Sequence, residues 1–165
     1  MPTARGVNFA QIERDHVQRF YPPFDWHPFD TFSPYNPLPK PINESRVAFV
    51  TTAGVHLADQ PPFDVAADDG DPTWRAIPVD TPSGDLVLSH GGYDTRRASK
   101  DKNVVLPLDH LRALAAEGRI GSLSPDVISF MGYIADTDRL QEREVHPVAE
   151  RFLQDGVDLV LLAPT

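Results

Sequence analysis

Three short apolar runs, at residues 47–51, 127–131 and 157–162, constrain the fold of this chain most strongly. Each run is rich in valine, isoleucine or leucine, and glycines follow the first two at Gly54 and Gly132. Nearly continuous apolar runs of this length are typical of strands buried on both faces of a parallel sheet. The segment between the last two runs is long enough for a helical crossover, which would make those strands parallel. The pattern predicts an α/β domain with a single open, mostly parallel sheet flanked by helices, of the Rossmann or flavodoxin kind.

Helices are predicted between these runs. Leucine and alanine side chains at helical spacing predict one helix over residues 108–115, with Gly118 just beyond its end. A second helix is predicted to begin with Thr137 as its N-cap and to kink or restart at Pro147, because proline removes an amide donor. Shorter elements are predicted at residues 12–20 (helix), 74–78 (strand) and 86–88 (strand).

The N-terminal part of the chain has a different composition. Eight of the 17 prolines lie in the first 41 residues, and six aromatic side chains lie between Tyr21 and Tyr35. Because proline fixes φ and lacks an amide proton, this stretch is neither helix nor central strand. We therefore predict a helix and a proline- and aromatic-rich arm in residues 1–43, and the α/β domain in residues 44–165. Two placements of the arm stay open: on the surface of its own domain, or against a partner subunit in a homo-oligomer.

Charge and cysteine content exclude several classes of function. A formal net charge of −9 without a lysine or arginine cluster argues against a nucleic acid or an anionic membrane as partner. No apolar run approaches the roughly 20 residues of a membrane span, and the N-terminus lacks the apolar core of a signal peptide. We therefore expect a cytoplasmic protein. The absence of cysteine excludes disulfides, thiolate metal sites and a cysteine nucleophile within these 165 residues.

The stretch from Ser89 to Thr95 carries the most chemically versatile side chains. It would follow a strand, and ligands of open α/β sheets bind in the loops at the carboxyl ends of strands. His90 is a candidate general acid or base, with Asp94 holding its tautomer. The alternative is a structural turn in which Asp94 binds local amides. A metal site is not expected, because these two residues supply only two ligands and no His-x-x-x-His pair completes the set.

Further candidates are polar residues near the other strands. Thr51 and Thr52 could present hydroxyl groups and amides to an anion. His56, just beyond them, is a further candidate for substrate binding. Arg75, on a predicted strand, could either pair with the acidic turn at residues 68–71 or bind a substrate carboxylate. Both interpretations of Arg75 stay open.

An ordered set of short motifs resembles a known family. The motifs are Val47–His56, Gly70-Asp71, Trp74-Arg75, Ser89-His90, Tyr93–Thr95, Asp101–Asn103, Leu106–Asp109, Gly118, Ile120-Gly121 and Phe130–Gly132. Together they are similar to the glycine/sarcosine/betaine/D-proline reductase selenoprotein B family, over about residues 45–165. The proline-rich arm contributes little to the resemblance.

The resemblance implies an oxidoreductase that reductively cleaves a carbon–nitrogen bond of a small amino acid or amine. Members use a selenocysteine, or a cysteine in its place, and draw electrons from a dithiol, from thioredoxin or from another reductase subunit. Their nucleophile follows a strand that resembles residues 157–165, so no position of this sequence matches it. It further implies that His90 handles the proton of the amine, and that Thr51, Thr52 and Arg75 bind the substrate carboxylate.

Two explanations of the missing nucleophile stay open. In the first, a longer form continues through a UGA codon that encodes selenocysteine, the only cofactor-like group that we expect. In the second, the chain is a non-catalytic binding or scaffold subunit that docks a redox partner through its aromatic arm. A hydrolase that uses Ser89 or Ser99 is a more distant hypothesis, because the sequence has no G-x-S-x-G motif.

Overall fold

The computed structural model describes residues 9–20 and 36–165, and the chain divides into two units at Asn36. Helix α1 (Phe9–Phe20) belongs to the first unit and begins three residues before the predicted helix. The second unit runs from Pro37 to Thr165. Residues 21–35, which hold most of the predicted aromatic arm, lie outside the described residues, so the arm and the boundary at residue 43 stay predictions.

The second unit is built on a mostly parallel sheet, as the sequence predicts. Its strands are β1 (Arg46–Thr51), β3 (Trp74–Pro78), β5 (Ser122–Leu123), β6 (Asp126–Phe130) and β7 (Leu159–Ala163). β1 is central: it pairs in parallel with β7 on one side and with β5 and then β6 on the other. β3 joins the sheet antiparallel to β6. The mixed α/β architecture is confirmed, and the more specific Rossmann- or flavodoxin-like topology stays a prediction.

Apolar side chains from the two faces of the sheet form two separate core clusters. Neighbouring residues of a strand point to opposite faces, and so Phe49 and Ala48 belong to different clusters. One face packs against α2 (Arg96–Lys100) and α3 (Leu108–Ala116) through Ala98, Leu108 and Leu111. The other face packs against α5 (His146–Gln154) through side chains of that helix. The runs predicted as doubly buried strands thus have apolar partners on both faces where β1 and β6 lie.

The crossover from β6 to β7 differs from the prediction in two details. Asp136 is the N-cap of α4 (Thr137–Arg139), since its carboxylate accepts the amide proton of Arg139; the predicted N-cap, Thr137, is already helical. A π-helical stretch (Leu140–Val145) then leads into α5, which begins at His146 and has Pro147 in its first turn, beside the predicted restart. The crossover carries the chain over the central strand, so β6 and β7 flank β1 instead of pairing with each other.

A small antiparallel ladder lies outside the main sheet. It joins β2 (Val55–Leu57), which the sequence did not predict, to β4 (Leu86–Leu88). The ladder places the start of the predicted catalytic loop, Ser89, beside Gly54, whose carbonyl accepts the amide proton of Ser89 at 2.8 Å. Short 3₁₀ helices occupy Ile42–Glu44, Ser83–Asp85 and Lys102–Val104. No helix of the described residues is long and apolar enough to span a membrane.

Candidate functional site

Three parallel strands end together at one edge of the sheet. Thr51, the last residue of β1, lies opposite Ser129 of β6 and Ala163 of β7. The residues that follow these strands are therefore neighbours in space. The backbone amide of Thr165 donates a hydrogen bond of 2.9 Å to Oγ1 of Thr52.

Gly132, just after β6, brings His90 to the same edge. Its φ of +97° is a value that side-chain-bearing residues rarely adopt, and a Cβ at this position would overlap the carbonyl oxygen of Thr52. The same Cβ would lie 3.3 Å from Nε2 of His90. We call Thr52, Gly132, Thr165 and the imidazole of His90 the carboxyl edge.

The tautomer of His90 is set by the backbone. The amide of Gly92 donates a hydrogen bond of 2.9 Å to Nδ1, so the neutral ring carries its proton on Nε2. Burial lowers the pKa of His90, which favours this neutral form at pH 7. The ring centroid lies 4.4 Å from that of Tyr93, whose hydroxyl is held by the carbonyl oxygen of Ala53 at 3.1 Å. His90 therefore offers an N–H donor at the carboxyl edge.

Asp94 does not make the predicted contact with His90. Its carboxylate accepts hydrogen bonds from the guanidinium group of Arg96, at 2.8 Å and 3.0 Å from Nε and 2.6 Å from Nη2. These bonds hold the pKa of Asp94 below its usual value. Both side chains are exposed, because α2 begins at this point on the surface. Oδ1 of Asp94 also accepts from the backbone amide of Arg96 at 3.1 Å, the kind of local amide contact that the structural alternative predicts.

The two threonines after β1 have different environments. Thr51 is fully buried, and its hydroxyl donates to the carbonyl oxygen of Val105 at 2.9 Å while accepting from the amide of Ala53 at 3.3 Å. Both hydrogen bonds of this hydroxyl are made within the core, which explains why Thr51 can be buried. Thr52 is half-buried and lies at the carboxyl edge. Of the two hydroxyl groups, that of Thr52 is the one that lies at the carboxyl edge.

Arg75 pairs with the acidic turn at residues 68–71, which is one of the two interpretations that the sequence left open. Its guanidinium group bonds the carbonyl oxygens of Pro61 and Pro62 and lies 4.3 Å from the centroid of the Phe63 ring. The same group lies 3.9 Å from the carboxylate of Asp71, with both side chains largely buried. Burial raises the pKa of Asp71, but hydrogen bonds and this positive charge outweigh the burial and lower it overall. Arg75 thus anchors the loop before β3.

His56 is buried, with 4% of its surface exposed, and both of its ring nitrogens have partners. Nδ1 lies 2.7 Å from the carbonyl oxygen of Leu57, and Nε2 lies 2.8 Å from the hydroxyl of Ser89. Both ring nitrogens are thus occupied by protein groups, and substrate binding by His56 stays a prediction.

An apolar cleft of about 550 Å³ adjoins the carboxyl edge. It lies between the sheet and the helical crossover, and Thr52 and Gly132 line it together with aliphatic and aromatic side chains. Residues 9–20 and 36–165 hold no group of three histidine, aspartate or glutamate side chains that could bind a metal ion.

The sequence matches the family model described as glycine/sarcosine/betaine reductase selenoprotein B over residues 3–165. The chain belongs to this family. Three of the motifs that resemble the selenoprotein B family, at Val47–His56, Ser89-His90 and Phe130–Gly132, meet at or beside the carboxyl edge.

Relatives of the chain are named as subunits of reductases. It is 40% identical over 128 residues to the D-proline reductase subunit gamma of Acetoanaerobium sticklandii, covering 78% of this chain and 52% of that protein. It is 30% identical to the sarcosine reductase complex component B subunit beta of Peptoclostridium acidaminophilum, covering 93% of this chain and 35% of that protein. The glycine reductase complex component B subunit gamma of Carboxydothermus hydrogenoformans is also 30% identical, over 83% of this chain and 32% of that protein. The chain spans about half of the first relative and about a third of the other two. No solved structure matches it.

Two features of the site were missed in the sequence. Gly132 is identified in the sequence as a strand-ending glycine and as part of a family motif, but its close approach to Thr52 and His90 is not predicted, although a glycine directly after a buried strand is a signal for such an approach. The hydrogen bond between His56 and Ser89 joins residues 33 positions apart, and no local pattern indicates it.

Proposed function

We propose that this chain is the α/β part of a selenoprotein-B-type reductase subunit that cleaves a carbon–nitrogen bond of an amino acid or amine. The reaction would take place at the carboxyl edge. One observation carries the proposal: Nε2 of His90 lies against Gly132, beside the end of β7, where the family resemblance expects the nucleophile.

The reaction class needs a nucleophile, a proton and two electrons. A selenolate or thiolate that follows β7 would bond to the substrate carbon, while the carbon–nitrogen bond breaks and the amine leaves with the electron pair and gains a proton. A dithiol would then be oxidised to a disulfide, and its two electrons with a proton would replace the new bond by C–H. We assign the dithiol to thioredoxin or to another reductase subunit, because the relatives are named as parts of reductase complexes.

His90 and Thr52 supply the polar groups that such a substrate needs. As the carbon–nitrogen bond breaks, the departing nitrogen gains a lone pair that can accept a hydrogen bond from Nε2–H of His90, and protonation of the ring would turn it into a general acid. The hydroxyl of Thr52 accepts from the amide of Thr165, and it keeps its own proton to donate to a substrate carboxylate.

One observation favours a second candidate, a subunit that binds a redox partner without catalysis of its own. β7 pairs with β1 and carries exposed apolar side chains, since Leu161 is 41% and Leu162 is 73% exposed. An apolar strand of this kind is a surface that another polypeptide segment can cover. This candidate needs no small molecule at the carboxyl edge, which separates the two experimentally.

Ligand titration by NMR tests the proposal. Glycine, sarcosine, betaine and D-proline would be added in turn to the ¹⁵N-labelled chain, and we expect at least one to shift the resonances of Thr52, Gly132 and the His90 ring. Thr52→Val should weaken this ligand at least tenfold, because it removes the hydroxyl that would donate to the substrate carboxylate, and a hydrogen bond to a charged group contributes about 1.5–3 kcal/mol. Thr137→Val, at the start of α4, is the matched control. Saturating concentrations of all four ligands without a shift at these residues would contradict the proposed reaction and favour the binding subunit.

A further inference from the structure

A second histidine lies behind the loop that carries His90. His56 is buried on β2, with its Nδ1 2.7 Å from the carbonyl oxygen of Leu57. Because a carbonyl oxygen only accepts, Nδ1 is the protonated nitrogen, and in the neutral ring Nε2 is left as an acceptor. The hydroxyl of Ser89, 2.8 Å away, is then the donor to Nε2.

Ser89 is held from three directions. Its hydroxyl donates to His56, and its amide donates to the carbonyl oxygen of Gly54 at 2.8 Å. Its own carbonyl packs so closely on Gly54 that a Cβ there would overlap it. Gly54 in turn donates its amide proton to the carbonyl oxygen of Phe130, at 2.9 Å, at the end of β6. Ser89 is therefore tied to the strand that Gly132 follows.

This attachment bears on His90, which is the next residue in the chain. The hydrogen bond and the ring contact of the imidazole are both local, since they involve the amide of Gly92 and the ring of Tyr93. Gly91 and Gly92 are both exposed, and two successive glycines leave the backbone many accessible conformations. The position of Nε2 against Gly132 thus depends on how firmly the preceding residue is fixed.

We propose that His56 is a positioning residue for His90, and that it acts through the hydroxyl of Ser89. In this role His56 needs no contact with a substrate. By accepting from Ser89 it holds the loop against Gly54, and so it directs the Nε2–H donor of His90 to the carboxyl edge. The inference rests on the proposed role of His90, but its geometry can be tested without any substrate.

Imidazole ¹⁵N chemical shifts measure the outcome. In the wild-type protein, at a pH where His90 is neutral, Nδ1 should resonate as an acceptor and Nε2 as a protonated nitrogen. Ser89→Ala removes the donor and His56→Phe removes the acceptor. In either variant we expect the shift difference between the two nitrogens of His90 to fall by about half, because a released ring samples both tautomers.

Two further variants serve as controls. Ser89→Thr keeps a hydroxyl and should retain the wild-type shift difference. Ser83→Ala deletes a comparable hydroxyl, which donates to Asp109 at 2.7 Å, and should change nothing at His90.

The amide spectrum of β1 and β6 reports whether each variant folds, and if one variant fails to fold the other decides. A wild-type shift difference in a folded Ser89→Ala or His56→Phe protein would overturn the inference. Equal disturbance of β1, β6 and His90 would overturn it too, since that is the result of a merely structural role. Failure of the four ligands to bind would instead remove the proposed function and leave this measurement intact.

Discussion

Replacing Gly132 by alanine is the most direct test of how the carboxyl edge is built. The φ of Gly132 is +97°, and an added Cβ would overlap the carbonyl oxygen of Thr52 and lie 3.1 Å from its Cβ. It would also lie 3.3 Å from Nε2 of His90. Gly118 offers a matched control, because its φ is +68° but a Cβ there would meet nothing within 4 Å.

The two variants separate backbone strain from steric overlap. A residue held in a sparsely populated φ/ψ region costs of order 1–3 kcal/mol, and both substitutions incur this cost. Gly132→Ala adds an overlap with backbone atoms, for which overpacking costs typically about 1–3 kcal/mol. We therefore expect Gly132→Ala to lower the free energy of unfolding by about 2 kcal/mol more than Gly118→Ala. The gain from restricting the unfolded chain is the same in both and cancels.

Urea denaturation followed by circular dichroism measures this difference. With a slope of about 2 kcal/mol per molar urea, the midpoint of Gly132→Ala should lie about 1 M below that of Gly118→Ala. The imidazole resonances of His90 should move in Gly132→Ala and stay unchanged in Gly118→Ala. Equal midpoints, or an unmoved His90, would refute the close approach of His90, Gly132 and Thr52.

Two further predictions concern titratable groups. Since burial lowers the pKa of His90, its unfolded form binds protons more readily, and stability should fall as pH decreases below about 6.5. Urea midpoints should show that His90→Gln loses this part of the dependence and that His110→Gln keeps it; parallel curves for all three proteins would refute it. Asp71→Ala should reduce the free energy of unfolding by about 3 kcal/mol, because it removes the carboxylate that faces the guanidinium group of Arg75 and accepts from the amides of Asp64 and Thr73. A loss under about 1 kcal/mol in the same assay would show that these contacts contribute little.

Local patterns in the sequence predicted the elements better than their arrangement. β1, β6 and α3 were found because apolar runs, helical spacing and terminal glycines depend only on neighbouring residues. β2 was missed because three residues, with a histidine in the middle, carry too little periodicity. The placement of β1 between β6 and β7 depends on long-range packing, which the spacing of the runs does not encode.

The candidate site shows the same division. His90 was predicted from its residue type and from its position after a strand, and the structure brings it to the expected edge of the sheet. Its partner was predicted to be Asp94, four residues away, but the adjacent guanidinium group of Arg96 is a stronger partner for that carboxylate. The group that does fix the tautomer is the amide of Gly92, and every residue except proline has such an amide.

Backbone groups, more than charged side chains, define the carboxyl edge. The amide of Gly92 sets the protonated nitrogen of His90, the amide of Thr165 binds Thr52, and Gly132 allows the segments to approach. Backbone amide donors do not titrate, so their hydrogen bonds are the same at every pH. Among the side chains that define the carboxyl edge, the imidazole of His90 is the one that titrates near neutral pH. Substitutions that move the backbone here should therefore change ligand binding more than removal of Asp94, whose charge is already neutralised on the surface.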